Sequence, residues 1–80
     1  MSHTPHELNE EFPKQVEKMA DLRQSDSHFA KLSESYHTVN RAIHRAETDV
    51  EPTSDDNMQQ MRRERLALKD EIATYLREQA

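Results

Sequence analysis

Histidine is the residue type whose number and spacing most directly suggest chemistry in this chain. Five histidines occur among 80 residues, and imidazole is a common ligand of transition metals. His3 and His6 are three residues apart, but His3 precedes the predicted first helix and no third ligand accompanies the pair. His37 and His44 share a helix face with Arg41, whose positive charge would repel a metal ion. We therefore expect neither a metal site nor a cofactor.

Nucleophilic catalysis and phosphate chemistry lack the residues that they usually need. The chain has no cysteine and no glycine, so neither a thiolate nucleophile nor a glycine-rich phosphate loop is available. Its serines do not follow the strand-to-helix turn with which hydrolases expose a nucleophile. We expect the protein not to be an enzyme and to have no small-molecule substrate.

A basic constellation is the polar pattern that differs most from an ordinary solvated helix face. Its members are His37, Arg41, His44, Arg45, Arg62, Arg63, Arg65 and Lys69. Like charges one helical turn apart are destabilising, so we expect acidic groups to compensate them. The candidates are Asp49 for Arg45, Glu64 for Arg41, and acids of the first segment or of another copy.

Two other readings of this basic face remain open, an acidic surface of a partner protein and the phosphate backbone of RNA. RNA is the weaker reading, because the face has no aromatic residue on which bases could stack and several acids lie close to it. A net charge of -5 also opposes non-specific binding to a phosphate polymer.

The elements that position these residues follow from an apolar repeat at alternating steps of three and four. One stripe is Phe29, Leu32, Tyr36, Val39, Ile43, Ala46 and Val50, and the other is Met58, Met61, Arg65, Leu68, Ile72 and Tyr75. Heptad spacing of this kind favours two helices that pack along their stripes. We predict an all-α fold, a coiled-coil-like antiparallel hairpin of helices at 26–48 and 54–78. Residue numbers that face each other should add to about 104.

A further helical segment is predicted at residues 5–24. Thr4 and Glu7 have capping-box spacing and Pro5 follows Thr4, which places a helix start there. Apolar residues then recur at helical spacing, but Pro13 interrupts them and predicts a bend near Phe12. The sequence Ser25-Asp26-Ser27 offers caps that separate this segment from the hairpin. All 80 residues form one helical domain in this interpretation.

The apolar residues outside the hairpin seam predict a docking role. They are Leu8, Phe12, Met19, Leu22, Leu66 and Leu76. A chain this short buries a smaller fraction of its surface than a longer one. We therefore expect the first segment to dock on its own hairpin or on another chain. A homo-oligomer, most simply a dimer, or another protein would cover what remains.

The sequence also bears on the cellular location of the protein. No run approaches the roughly 18 apolar residues of a membrane span, and the first residues lack the features of a signal peptide. The absence of cysteine is compatible with a reducing compartment. We expect a cytoplasmic protein without membrane contact.

The chain resembles the YdcH-like family of short bacterial proteins, a domain family of unknown function. The resemblance rests on the order and spacing of five short sequences: His6-Glu7-Leu8, Glu11-Phe12-Pro13, Ser25-Asp26-Ser27-His28-Phe29, Ile43-His44-Arg45-Ala46-Glu47 and Arg65-Leu66-Ala67-Leu68-Lys69-Asp70-Glu71-Ile72. It implies a small cytoplasmic helical protein of bacteria, and it supplies no catalytic residue, cofactor or substrate.

Together these observations predict a small helical interaction module that has no chemistry of its own. It would associate with itself or bind another protein. The alternative is a small RNA-binding or RNA-associated regulator that uses the basic face.

Overall fold

The chain is described by a computed structural model over residues 4–48 and 53–78. Every regular element in those residues is helical. They are α1 (Leu8–Glu11), a 3-10 turn (Pro13–Gln15), α2 (Val16–Ser25), α3 (Ser27–Glu47) and α4 (Asp55–Glu78). The fold is all-α, as the sequence predicts. The predicted connection around Pro52, the seam residue Val50, His3 and the acid Asp49 lie outside the described residues.

The long helices α3 and α4 form an antiparallel hairpin. Near one end, the rings of Phe29 and Tyr75 lie 5.6 Å apart between centroids, and these residue numbers add to 104. At the other end, Arg62 of α4 forms an ion pair with Glu47 of α3 at 2.9 Å. The heptad stripes therefore meet in the register that their alignment predicts at the Phe29 layer.

A single residue, Asp26, separates α2 from α3. Its backbone is extended, and its carboxylate accepts hydrogen bonds from the backbone N–H groups of His28 and Phe29 at 3.0 and 3.3 Å. Asp26 thus caps α3 and satisfies amides that have no partner within the helix. Its second carboxylate oxygen accepts a hydrogen bond from the hydroxyl of Tyr75. The cap of α3 is therefore also tied to the end of α4.

The predicted helix start at Thr4 and Pro5 is wrong. The first helix begins at Leu8, its N-cap is Glu7, and no side chain caps it. His6 has a φ of 63°, a left-handed conformation that histidine adopts more readily than most residues but that ends a right-handed helix. The carbonyls of Pro5 and His6 instead accept hydrogen bonds from α3. Tertiary hydrogen bonds therefore override the local capping signal.

The chain bends between α1 and α2 in the region where Pro13 predicts a bend. Phe12 leaves the helical region at φ -129° and ψ 63°, and Pro13 opens the 3-10 turn that leads into α2. Proline has no N–H to donate and is well suited to a first helical position. The bend divides the first segment into two short helical pieces.

The first segment completes the hydrophobic core of the hairpin. The core cluster joins residues of α1, α2, α3 and α4: Leu8, Met19, Phe29, Leu32, Tyr36, Ile72 and Leu76. Phe12, Leu22, Leu68 and Tyr75 pack against it and are half-buried. The sequence left open whether this segment docks on its own hairpin or on another chain. In the structure it docks on its own hairpin.

Candidate interaction surfaces

Three side chains form a buried polar anchor for the residues before α1. The Tyr36 hydroxyl donates to the carbonyl oxygen of His6 at 2.5 Å, and the Asn40 Nδ2 donates to that of Pro5 at 2.8 Å. Arg65 of α4 completes the group by donating from Nη1 to Asn40 Oδ1 at 2.9 Å. Asn40 is 1% exposed, so both sides of its amide are satisfied inside the protein. Arg65, which interrupts the predicted seam, therefore has a specific partner.

The anchor changes the ionisation of Tyr36. Burial, and to a lesser extent the negative charges of Glu11 and Glu7, raise its pKa while the charge of Arg65 lowers it, and the net pKa is about 12. The ordinary value is 10.0. Because the folded pKa lies above the unfolded one, the stabilisation from the neutral phenol is complete below pH 10. It is lost as the pH rises through about 12.

A titration of phenolate absorbance checks this environment. Subtracting the titration curve of Tyr36→Phe from that of wild type is expected to show one group that ionises near pH 12, because burial disfavours the charged phenolate. Circular dichroism on the same samples should show that the helices are retained while the phenolate absorbance rises. A difference curve centred near pH 10 in a folded sample would contradict the buried anchor.

Glu7 ties the N-cap of α1 to α3. Its Oε2 lies 2.7 Å from His37 Nδ1, and its Oε1 lies 3.8 Å from Arg41 Nε. The two atoms at 2.7 Å are buried without a hydrogen bond of good geometry. Glu7 therefore places its carboxylate against both the imidazole of His37 and the guanidinium of Arg41.

Glu11 ties the end of α1 to α4. Its Oε1 accepts from His6 Nδ1 at 3.0 Å and lies 3.5 Å from Lys69 Nζ. Burial raises the pKa of this carboxyl, but the hydrogen bond from His6 and the charge of Lys69 outweigh burial, and the net pKa lies below 4.5. Glu7 and Glu11 thus hold the first segment from both sides. The sequence predicts that acids of this segment compensate the basic residues, but it does not identify Glu7 and Glu11 as those acids.

The predicted basic face is not one continuous positive surface. Arg41 faces Glu7, Lys69 faces Glu11 and Arg62 faces Glu47. The compensator predicted for Arg41, Glu64, instead accepts a hydrogen bond from Gln60 at 3.4 Å. The remaining members of the face are placed as follows: Arg65 on Asn40, Arg63 and Arg45 exposed, and His37 and His44 half-buried. Neighbouring acids therefore neutralise much of the basic face.

Histidine and carboxylate groups do not form a metal centre in the described part of the chain, where no three potential ligands come together. His6 and His37 each contact a different glutamate. None of the helices described here is long and apolar enough to cross a membrane.

The six apolar residues that predict docking fall into three groups by their burial. Leu8, Met19 and Leu76 are buried in the core of the chain itself, so in this structure they cover the hairpin rather than face a partner. Phe12 and Leu22 are half-buried against that core. Leu66 alone among the six is exposed, at 60%. Leu76 lies off the seam, where the sequence predicts contact with a further helix, and in the structure the first segment supplies that contact.

An open groove runs between α3 and α4 along the outer face of the hairpin. Its volume is about 660 Å³. The lining residues are Lys31, Glu34, Ser35, Thr38, Val39, Glu64, Ala67 and Leu68. Val39 and Leu68 are half-buried seam residues, and charged side chains stand at the margin. We call this surface the outer groove.

Comparison with known proteins identifies the hairpin rather than the first segment. Neither a curated protein nor a solved structure matches the chain. Residues 29–76 match a family described as Protein of unknown function (DUF465). The matched residues run from the first turn of α3 to Leu76 near the end of α4 and are more than half of the chain. The YdcH-like resemblance agrees with this match, and the chain belongs to the DUF465 family.

Proposed function

We propose that this protein is a non-catalytic interaction module that self-associates as a two-fold dimer through the outer groove. The observation that carries the proposal is the groove itself, which is uncovered, lies beside the core and has a volume of about 660 Å³. Among the described residues, none of the first segment lines the outer groove, so that segment covers the hairpin core from another side.

The shape of the outer groove suits a second helix. Three of its lining residues have short side chains: Ser35, Thr38 and Ala67. The axes of packed helices are about 8–10 Å apart, and they approach more closely when the side chains between them are short. Val39 and Leu68 lie at the base and are still partly exposed. A helix that covered them would remove further apolar surface from water, and each Å² removed would contribute about 25 cal/mol of favourable free energy.

The charges at the margin are self-complementary. A two-fold interface brings the same patch of both copies together, so a stable one needs both signs of charge within the patch. The outer groove supplies a cation, Lys31, and two acids, Glu34 and Glu64. In the described part of the chain, neither Lys31 nor Glu34 has an ion-pair partner. Lys31 of one copy can therefore pair with Glu64 of the other.

The RNA-binding alternative receives less support from the same geometry. Arg41, Arg62 and Lys69 each have a carboxylate within 4 Å in the chain, and these acids interrupt the continuous positive groove that a nucleic-acid backbone would follow. We place the module in the cytoplasm because its lack of cysteine is compatible with a reducing compartment.

Charge at the centre of the outer groove is expected to separate the dimer. Ala67→Glu adds a second carboxylate close to Glu64, and at tens of micromolar the variant should give the monomer mass of 9.4 kDa by light scattering. Wild type should give twice that mass. Because Ala67 is exposed and glutamate favours helix, helix content should not fall.

A matched control and a charge exchange test the same surface. Gln59→Glu makes the same change in charge at an exposed position outside the groove and should leave the dimer intact. Lys31→Glu and Glu64→Lys should each weaken association, and the double variant should restore it. A monomeric wild type, or equal effects of Ala67→Glu and Gln59→Glu, would contradict the proposal.

A further inference from the structure

We propose that α4 carries a second docking surface, distinct from the outer groove, which binds an acidic amphipathic helix of another protein. The surface is a row at steps of four, three, four and four: Arg62, Leu66, Lys69, Ala73 and Arg77. At 3.6 residues per turn these positions share one face of a helix. Leu66 and Leu68 are two positions apart, so they point in nearly opposite directions. We call this row the α4 flank.

Two clefts lie in line along the α4 flank, between α4 and the first segment. One has a volume of about 220 Å³ and is lined by Leu66, Arg62 and Lys69 together with His6 and Glu11 of the first segment. The other has a volume of about 320 Å³. Its lining includes Ala73 and Arg77 of α4 with Phe12 and Gln15 of the first segment. The clefts make the α4 flank a shallow furrow rather than a smooth helix surface.

Leu66 supplies the apolar contact for a partner. It is 60% exposed and is the single large hydrophobic residue with high exposure in the described part of the chain. Scattered exposed apolar residues are common and need no explanation alone. Here, however, the exposed leucine stands between Arg62 and Lys69 at the mouth of a cleft. The leucine can contact the apolar face of an amphipathic helix, and the cations beside it can pair with acids on that helix.

The charges of the α4 flank specify an acidic partner. Arg77 donates to Thr74 Oγ1 at 3.2 Å and has no carboxylate partner in the described residues. Arg62 and Lys69 pair with Glu47 and Glu11, but partly exposed ion pairs of this kind contribute little to stability. An incoming carboxylate can therefore share or replace them.

A second copy of the same flank is a poor occupant. Packed on itself in either direction, the row would place cations of one copy against cations of the other, and like charges across an interface are strongly unfavourable. The row spans 15 helical steps, about 22 Å at 1.5 Å per residue. A helix of about four turns with leucine on one face and glutamate beside it matches this length and chemistry.

Fluorescence anisotropy with a synthetic probe tests the assignment. The probe is a labelled 16-residue helical peptide, by design about four turns long, with leucine every three to four residues and glutamate at the flanking positions. Its control has lysine in place of every glutamate. The intact protein should bind the acidic peptide and not the lysine peptide. Leu66→Ala and Arg77→Glu should each weaken binding at least tenfold, because they remove the anchor and a cation.

Arg63→Glu is the matched control, since Arg63 is an exposed cation of the same helix outside the α4 flank. It should change the affinity less than threefold, and circular dichroism should show that all three variants remain helical. The inference is overturned if the acidic peptide does not bind, if the lysine peptide binds equally, or if Arg63→Glu matches Arg77→Glu. Tighter binding of a single-stranded RNA of mixed sequence, lost in Arg77→Glu, would also overturn it.

Discussion

Replacing Leu8 with alanine is expected to lower the free energy of unfolding by about 2–5 kcal/mol, the usual cost of truncating a buried leucine. Leu8 is 1% exposed and lies in the same core cluster as Tyr36 and Ile72. For 80 residues the total stability is about 4–12 kcal/mol, so this loss would be a large share. Urea unfolding followed by circular dichroism measures it.

Leu66→Ala is the matched control for this prediction. The chemical change is identical, but Leu66 is 60% exposed, and exposed substitutions usually alter stability by less than about 0.5 kcal/mol. Equal effects of the two substitutions would mean that α1 does not dock on the hairpin as described. A large effect of Leu8→Ala alone supports a core that the first segment completes.

Replacing Asn40 with alanine is expected to lower the free energy of unfolding by about 1–3 kcal/mol. The carbonyl of Pro5 would lose its donor and Arg65 its acceptor, and both groups would remain partly buried. A buried polar group that loses its partner costs more free energy than a typical hydrogen bond contributes to stability. Thermal and urea unfolding of the purified variant provide the measurement.

Asn57→Ala tests whether the effect belongs to the anchor. Asn57 is exposed in the first turn of α4, and its side chain donates to Thr53 Oγ1 at 2.6 Å. Because water can replace that bond, its loss should cost clearly less than the loss of Asn40. A larger cost at Asn57 than at Asn40 would contradict a buried anchor.

The hairpin was readable from the sequence because its signals are periodic. Heptad stripes define which faces meet, and the end-to-end alignment of two stripes defines the register at the Phe29 layer. The helices α3 and α4 begin at Ser27 and Asp55, each one residue after the predicted start. Asp26 provides the cap that the Ser25-Asp26-Ser27 sequence offers.

The first segment was less readable because tertiary contacts decide its conformation. The spacing of Thr4 and Glu7 is a genuine capping signal, yet the hydrogen bonds from Tyr36 and Asn40 hold residues 5 and 6 outside a helix. These two donors are thirty or more residues distant in the chain. A local signal cannot report a contact of that kind.

The candidate surfaces were readable only in part. The sequence identifies Leu66 as an apolar residue off the seam and groups the basic residues of α4 with those of α3. The sequence did not reveal that Glu7, Glu11 and Glu47 stand beside those basic residues. It also did not separate Leu76, which the first segment covers, from Leu66, which it leaves exposed, because both lie off the seam on the same helix.

Contacts between copies in nuclear Overhauser spectra show whether the protein self-associates through the outer groove. In a sample that mixes protein labelled with carbon-13 and unlabelled protein, isotope-filtered nuclear Overhauser spectra record only contacts between different copies. We expect such contacts at the methyl groups of Val39 and Leu68 and none at Leu8. Contacts between copies at Leu8, or none at any methyl group at millimolar concentration, would contradict it.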